Sequence, residues 1–226
     1  MGAILVTGGT GQLGGAVLAE LLDAGATVVS TWIAEHELEH LDPGVKDKVQ
    51  LVQADLSSDE GCETAVAAAG PLDGLINLVG GFAAGGRFHE EPIETLEKML
   101  ALNLMTAARM CRAALPSLMQ GDGGTIVCVG AKHALAPFPG GAAVSTSKAA
   151  LLALVRALDA EYRKDGVRVN AILPNLIDTP ANRASDPDAD TSSWPKPAEI
   201  ARVIRFLSSS DSAPVAGAQI PVYVRS

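Results

Sequence analysis

Positive charge is scarce in this chain. Lys and Arg number 17 against 26 Asp and Glu, a formal net charge of −9. That balance repels phosphate backbones and excludes a nucleic-acid partner. Cysteine is scarce as well: Cys62, Cys111 and Cys128 are scattered, each in apolar or helical surroundings. No CxxC or Cys/His spacing offers a ligand set, so no metal is expected, and the odd count fits a reducing compartment. Apolar runs fall short of the ~18 residues that span a bilayer, so no membrane partner is expected. No basic segment precedes Ala3-Ile4-Leu5-Val6, which reads as a strand, and the expected location is cytoplasmic. Linkers, repeats and low-complexity tracts are missing too, so residues 1–226 are expected to form a single domain.

What is present is an alternation. Short β-branched runs occupy Ala3–Thr7, Thr27–Thr31, Val49–Gln53, Gly74–Leu78, Thr125–Val129, Val167–Ile172 and Ala218–Val224. Segments of helical period lie between them, near Gly11–Asp23, Glu35–Leu41, Asp59–Ala69, Ile93–Met119, Ser145–Arg163 and Pro197–Ser208. Apolar strands separated by helices imply parallel pairing. The predicted fold is therefore α/β: a doubly wound, seven-stranded parallel sheet with helices on both faces, a Rossmann domain. Gly25, Asp122-Gly123-Gly124 and Asp165-Gly166 supply the turns. Two connections are long enough to serve a site, Val79–Glu91 and Pro174–Lys196, the second a candidate lid over 175–196.

The first strand runs into Thr7-Gly8-Gly9-Thr10-Gly11-Gln12-Leu13-Gly14, followed by a helix. Glycine is needed where backbone turns sharply, approaches a pyrophosphate or packs helix on strand; the helix N-terminus then receives phosphate. This placement marks a dinucleotide site. Trp32, Asp55 and Leu56 end the next two strands and join the candidate set, as does Asn77, expected beside the adenosine. Asp55 suits an adenine amino group, or it caps the next helix with help from Ser57 or Ser58. The cofactor is NAD or NADP. Thr31-Trp32-Ile33 holds no acid for a ribose 2′-hydroxyl, but no Lys or Arg for a 2′-phosphate either, and Glu35, Glu37 and Glu39 follow. The lean is to NAD.

Thr7-Gly8…Gly11…Gly14, Asn77…Gly80, Asn103, Lys148 and Pro174…Thr179 together resemble the short-chain dehydrogenase/reductase family over essentially the whole chain. The glycine pattern here is TGxxGxxG, where that family's most typical members carry TGxxxGxG. Gly80-Gly81-Phe82-Ala83, Gly130-Ala131-Lys132, Asp178–Arg183 and Ser192-Ser193-Trp194 further resemble quinonoid dihydropteridine reductases and their bacterial relatives. The resemblance implies that Lys148 binds the nicotinamide ribose and that Thr179, with backbone near Ile177, holds the carboxamide. It implies that Asn103 bends its helix and holds a water in a proton relay.

It also exposes two gaps. The family's acid is a tyrosine one helical turn before the lysine, where its pKa is lowered and both face the substrate. Val144 stands at that position, and Ala131 stands where a serine would polarise the substrate oxygen; the dihydropteridine reductases also carry alanine there. His133 is a candidate replacement donor, although a surface or loop-bonding histidine is the favoured reading. Ser145 and Ser147 flank the gap and read first as helix caps. Arg183 pairs with a substrate or with Asp186, Asp188 and Asp190, and Trp194 packs the lid down or stacks on a planar ligand. The sequence thus supports an NAD(P)-dependent reductase of a small carbonyl, quinonoid or imine substrate with an altered acid. The alternative is a non-catalytic dinucleotide-binding protein, a redox sensor or partner subunit. Met99, Leu102, Leu151, Leu152 and Val155 read as apolar surplus on two long helices, which predicts a homodimer or homotetramer.

Overall fold

The computed structural model describes residues 2–121 and 123–223. Seven parallel strands form one sheet in the order β3-β2-β1-β4-β5-β6-β7. They are β1 Ala3–Thr7, β2 Val28–Trp32, β3 Gln50–Gln53, β4 Leu72–Asn77, β5 Gly124–Val129, β6 Val167–Leu173 and β7 Gln219–Pro221. The helices are α1 Gln12–Asp23, α2 Pro43–Lys46, α3 Asp59–Ala69, α4 Ile93–Leu100, α5 Thr106–Leu118, α6 Ala142–Tyr162, α7 Pro180–Ser185 and α8 Pro197–Leu207.

Strand side chains alternate between two cores. Leu5, Leu75, Ile126, Cys128 and Leu173 join Cys62 and Ala65 of α3, Met110 of α5, and Leu151, Leu152 and Val155 of α6. Val6, Ile76, Val127 and Ile172 join Val17, Leu18 and Leu21 of α1 and Ile200 and Ile204 of α8. Both faces are thus buried, which is why the strands read as continuous apolar runs. Each of these Leu and Ile side chains contributes roughly 1.5–3 kcal/mol by leaving water. The sheet order reverses between β1 and β4, so the loops at their carboxyl ends diverge and leave a crevice.

Four sequence expectations change. Glu35–His40 forms a 3-10 turn rather than an α-helix. Pro43 follows closely and holds Asp42 extended, at φ −55° and ψ 131°; Asp42 then caps α2, a short helix that no periodicity announces. The expected helix Ile93–Met119 is split by a π turn at Ala101–Met105, where the Thr106 N–H reaches Ala101 O and the Thr106 hydroxyl donates to Leu102 O at 2.7 Å. The last strand shrinks to Gln219–Pro221, and Val224, like Asp122 of the expected turn, lies outside the described residues. Finally, Met99, Leu151, Leu152 and Val155 are spent on the chain's own core, and Leu102 lines a cleft, so none is surplus for a partner.

Candidate dinucleotide and substrate site

The crevice is a cleft of about 470 Å³ at the carboxyl ends of β1 to β4. Gly8, Thr10, Gly11, Trp32, Asp55, Leu56 and Gly80 of the expected set line it. Gly8 turns at φ +69°, and a Cβ on Gly14 would lie 2.3 Å from Gly8 O, so α1 seats directly on the turn. No side chain caps α1 at Gly11, which leaves the opening amides of that helix, at Gln12 and Leu13, free of a side-chain acceptor. Gly9 is buried against Ser30 and Leu18. A turn of this shape, with uncapped amides beside a cleft, fits a dinucleotide pyrophosphate.

For three members of that set the structure decides what the sequence left open: Thr7 and Asn77 turn inward, and Asp55 takes the cleft and not the cap. Thr7 and Asn77 are buried beneath the cleft, the Thr7 hydroxyl donating to Asn77 Oδ1 at 3.5 Å and accepting from the Leu78 N–H at 3.2 Å. The Asn77 amide turns inward, donating to the sulfurs of Cys111 at 3.4 Å and Cys128 at 3.6 Å. Two cysteines that look scattered in sequence therefore meet around one amide. Asp55 does not cap α3; Ser58 does, accepting from the Gly61 N–H at 3.0 Å. The Asp55 carboxylate faces the cleft, held below the usual carboxylate range by its hydrogen bonds from Ser57.

An acid does stand at the end of β2. Glu37 folds back from the 3-10 turn, and its Oε2 accepts from the Thr10 hydroxyl at 3.0 Å and the Ile33 N–H at 3.2 Å. In the sequence Glu37 counts among the acids that follow β2, but not as the one that returns to the strand's end. The signal was an acidic residue one turn beyond the strand, close enough to return to its end.

Deeper in, α6 and the π turn converge. Asn103, fully buried, accepts from the Gly81 N–H at 2.8 Å and donates to Gly81 O at 3.1 Å and Ser147 Oγ at 2.9 Å. The Lys148 ammonium donates to Val129 O at 2.8 Å, at the end of β5. A Cβ on Gly80 would meet Asn103 Oδ1 at 2.8 Å and Lys148 Nζ at 3.0 Å, so these expected partners do come together. Burial pushes Lys148 down to about 8. Ser145 and Ser147 lie inside α6 and cap nothing: Ser147 donates to Val144 O at 3.0 Å, and the buried Ser145 hydroxyl has no hydrogen-bond partner among the described residues. Val144 is only 2% exposed. Ala131 is extended at φ −161° and leads into the turn Lys132–Ala134, which packs on α6.

The long second loop is built rather than loose. Thr179 caps α7, its hydroxyl accepting from the Asn182 N–H at 3.2 Å, which leaves its own proton to donate. The Ile177 carbonyl is already taken by Thr179 N at 2.8 Å and Asn182 Nδ2 at 2.8 Å, and the buried Pro174 by Lys132 N at 2.8 Å. Arg183 grips Asp178 through two bonds, of 2.5 and 2.9 Å, not Asp186, Asp188 or Asp190. Trp194 is 9% exposed and packs. His133 is half-buried and ring-packed, its edge against Phe138 at 4.6 Å, with burial and the Lys132 charge lowering its pKa. Across from it, Gly85 N–H donates to Gly140 O at 3.1 Å, and Gly140, at φ +81°, would set a Cβ 2.3 Å from Gly85 O.

The family described as short chain dehydrogenase matches residues 2–190. The chain belongs to that family. Among short chain dehydrogenases it is 30% identical to 2-(R)-hydroxypropyl-CoM dehydrogenase of Xanthobacter autotrophicus, covering 96% of this chain and 94% of that protein. It superposes on a short chain oxidoreductase from Pseudomonas aeruginosa described as containing an atypical catalytic center, with a TM-score of 0.90, 27% identity and 98% and 95% of the two chains covered. A short-chain type dehydrogenase/reductase from Mycobacterium ulcerans shares the fold at a TM-score of 0.91 and 24% identity, over 97% and 87% of the chains.

Proposed function

We propose that this oxidoreductase is a nicotinamide-dinucleotide-dependent reductase of a small carbonyl, quinonoid or imine carbon, working with an altered acid. The observation that carries the reading is the meeting of Gly80, Asn103 and Lys148 beside the glycine-turn cleft. Trp32, Asp55 and Leu56 would hold the adenosine half, and the Gly8–Gly14 turn would hold the pyrophosphate. Glu37, at the ribose end, favours NAD over NADP, because a 2′-phosphate there meets a carboxylate. Bound in that cleft, the cofactor supplies the hydride.

The chain's own residues do the rest. Lys148 holds the nicotinamide ribose and lends positive charge to the reacting centre. Thr179 offers its free hydroxyl proton to the carboxamide. Asn103 fixes Gly80–Gly81, and thereby the wall beside Lys148. Val144 at the tyrosine position and Ala131 at the serine position offer no proton, so the acid is water at the mouth or a neighbouring hydroxyl or imidazole, Ser145 or His133. Losing one positioned acid costs roughly 10²–10⁴ in rate. Electron-poor quinonoid substrates tolerate this best, in keeping with the resemblance to dihydropteridine reductases and with a relative whose catalytic centre is itself described as atypical. Residues 175–196, pinned by Arg183–Asp178 and Trp194, cover the site as a lid on a single dinucleotide-binding domain.

Calorimetric titration with NADH and NADPH, followed by turnover on a carbonyl and quinone panel, tests the reading. NADH binding with steady oxidation is the expected result. Binding without oxidation of any panel member would overturn the reductase and leave a dinucleotide-binding protein, a reading that the buried Val144 favours.

A further inference from the structure

Three rings meet where the loops bearing Gly80 and Ala131 rise past the site. Phe82 and Phe138 are parallel within 4° at 6.2 Å between centroids. His133 stands edge-on to Phe138 at 4.6 Å and tilted to Phe82 at 6.4 Å. The chain has only four phenylalanines, and two are committed here. Phe82 belongs to neither core and stays 63% exposed, so its ring face is open to a ligand.

The position of the rings relative to the site is fixed from both sides. Phe82 follows Gly80-Gly81, which Asn103 clasps and which Lys148 Nζ approaches. The Phe138 ring packs over Gly141, directly before the helix that carries Val144 and Lys148. His133 lies in the turn that packs on that helix. The Gly85–Gly140 hydrogen bond holds the two loops to each other. Burial and the Lys132 charge favour the neutral imidazole, which keeps an N–H to donate and presents no net charge to an apolar ring.

We propose that Phe82, His133 and Phe138 form a recognition wall for a planar conjugated carbonyl, an aromatic ketone, aldehyde or quinone, stacked so that its oxygen is directed toward the Val144–Lys148 side. Aromatic faces prefer offset or edge-on partners, and a saturated ring cannot supply that complement. This deepens the reductase reading and rests on it for the direction of the carbonyl.

The probes are 1,2-naphthoquinone and its saturated counterpart with the same two-ring skeleton, decalin-1,2-dione, titrated calorimetrically into the full chain with and without NADH. The quinone is expected to bind at least about tenfold more tightly. Phe82→Leu and Phe138→Leu keep apolar volume, and thermal melting checks their folding. Each should erase about tenfold of the quinone's advantage. Equal affinity for the two probes, or a preference untouched in both folded variants, would overturn the wall. Ring-dependent quinone binding without NADH oxidation supports the wall while removing the reductase. Reduction of saturated ketones with no ring dependence does the reverse.

Discussion

The amide of Asn103 donates to the hydroxyl of Ser147 at 2.9 Å and ties the π turn to the helix that bears Lys148. The same side chain satisfies both backbone groups of Gly81. Asn103→Ala removes these three hydrogen bonds and a weak fourth to Met99 Sδ at once, and should cost about 2–4 kcal/mol. Urea unfolding at neutral pH measures it; a loss below about 1 kcal/mol means that solvent replaces the amide.

Lys148 is held in the opposite balance. Its ordinary pKa of 10.5 falls to about 8 on burial. The folded value lies below the unfolded one, so the ammonium costs stability at pH values under about 8. That penalty, about 3 kcal/mol, is relieved as pH rises from about 8 toward 10.5. Lys148→Met should therefore raise stability at pH 7 by about 1–2 kcal/mol, after the loss of the bond to Val129 O. A fall in melting temperature would refute this.

The same titration predicts the alkaline limb of activity. Turnover per bound dinucleotide should decline as pH rises through about 8, where the ammonium loses its proton. A profile flat to pH 10 would remove Lys148 charge from the reaction.

Glu37 predicts cofactor choice. NADH should bind more tightly than NADPH, and Glu37→Gln should narrow the difference by about tenfold, by removing the charge that faces a 2′-phosphate. Side-by-side calorimetry checks it, and tighter NADPH binding by the unaltered protein would end the NAD assignment.

Val144→Tyr should raise carbonyl turnover by at least about tenfold, and only while Lys148 is present to lower the phenol pKa. Because Val144 is buried, the larger side chain should also cost about 1–3 kcal/mol. A double-mutant cycle with Lys148→Ala isolates the coupling. A folded, cofactor-binding Val144→Tyr protein that reduces nothing faster counts against the altered-acid reading.

A homodimer or tetramer remains the expected assembly, now through the outer groove of α5 and α6 at Met119, Leu154, Leu158 and Tyr162 instead of the residues absorbed by the core. Light scattering at micromolar concentration should exceed the monomer mass; a monomer reading would dismiss it.

The central strands were legible because both sheet faces are buried there, so β-branched runs announce them, while the edge strand β7 is shorter than its apolar run. The glycine turn was legible from its place between the first strand and the first helix, whereas Lys148 and Asn103 were legible only through the family resemblance. Other features depend on tertiary return. Glu37 acts through a turn that doubles back, Ser147 meets Asn103 across 44 residues, and the Asn77 amide turns to two sulfurs rather than the cleft. A bend at Asn103 was expected from the family resemblance, but its form as a π turn was not readable, because a single widened turn leaves the apolar period nearly intact. Arg183 was misassigned because three nearby aspartates outnumber Asp178 in sequence, while the start of α7 puts Asp178 within its reach.

The backbone bond from Gly85 to Gly140 makes the two walls of the mouth one mechanical body. Neither loop can swing outward without either breaking that bond or carrying the other with it. Under the proposed function, a bulky product should leave past the Phe82 ring or wait for both loops to lift together, which adds an exit step to a chemical step already slowed by the missing acid.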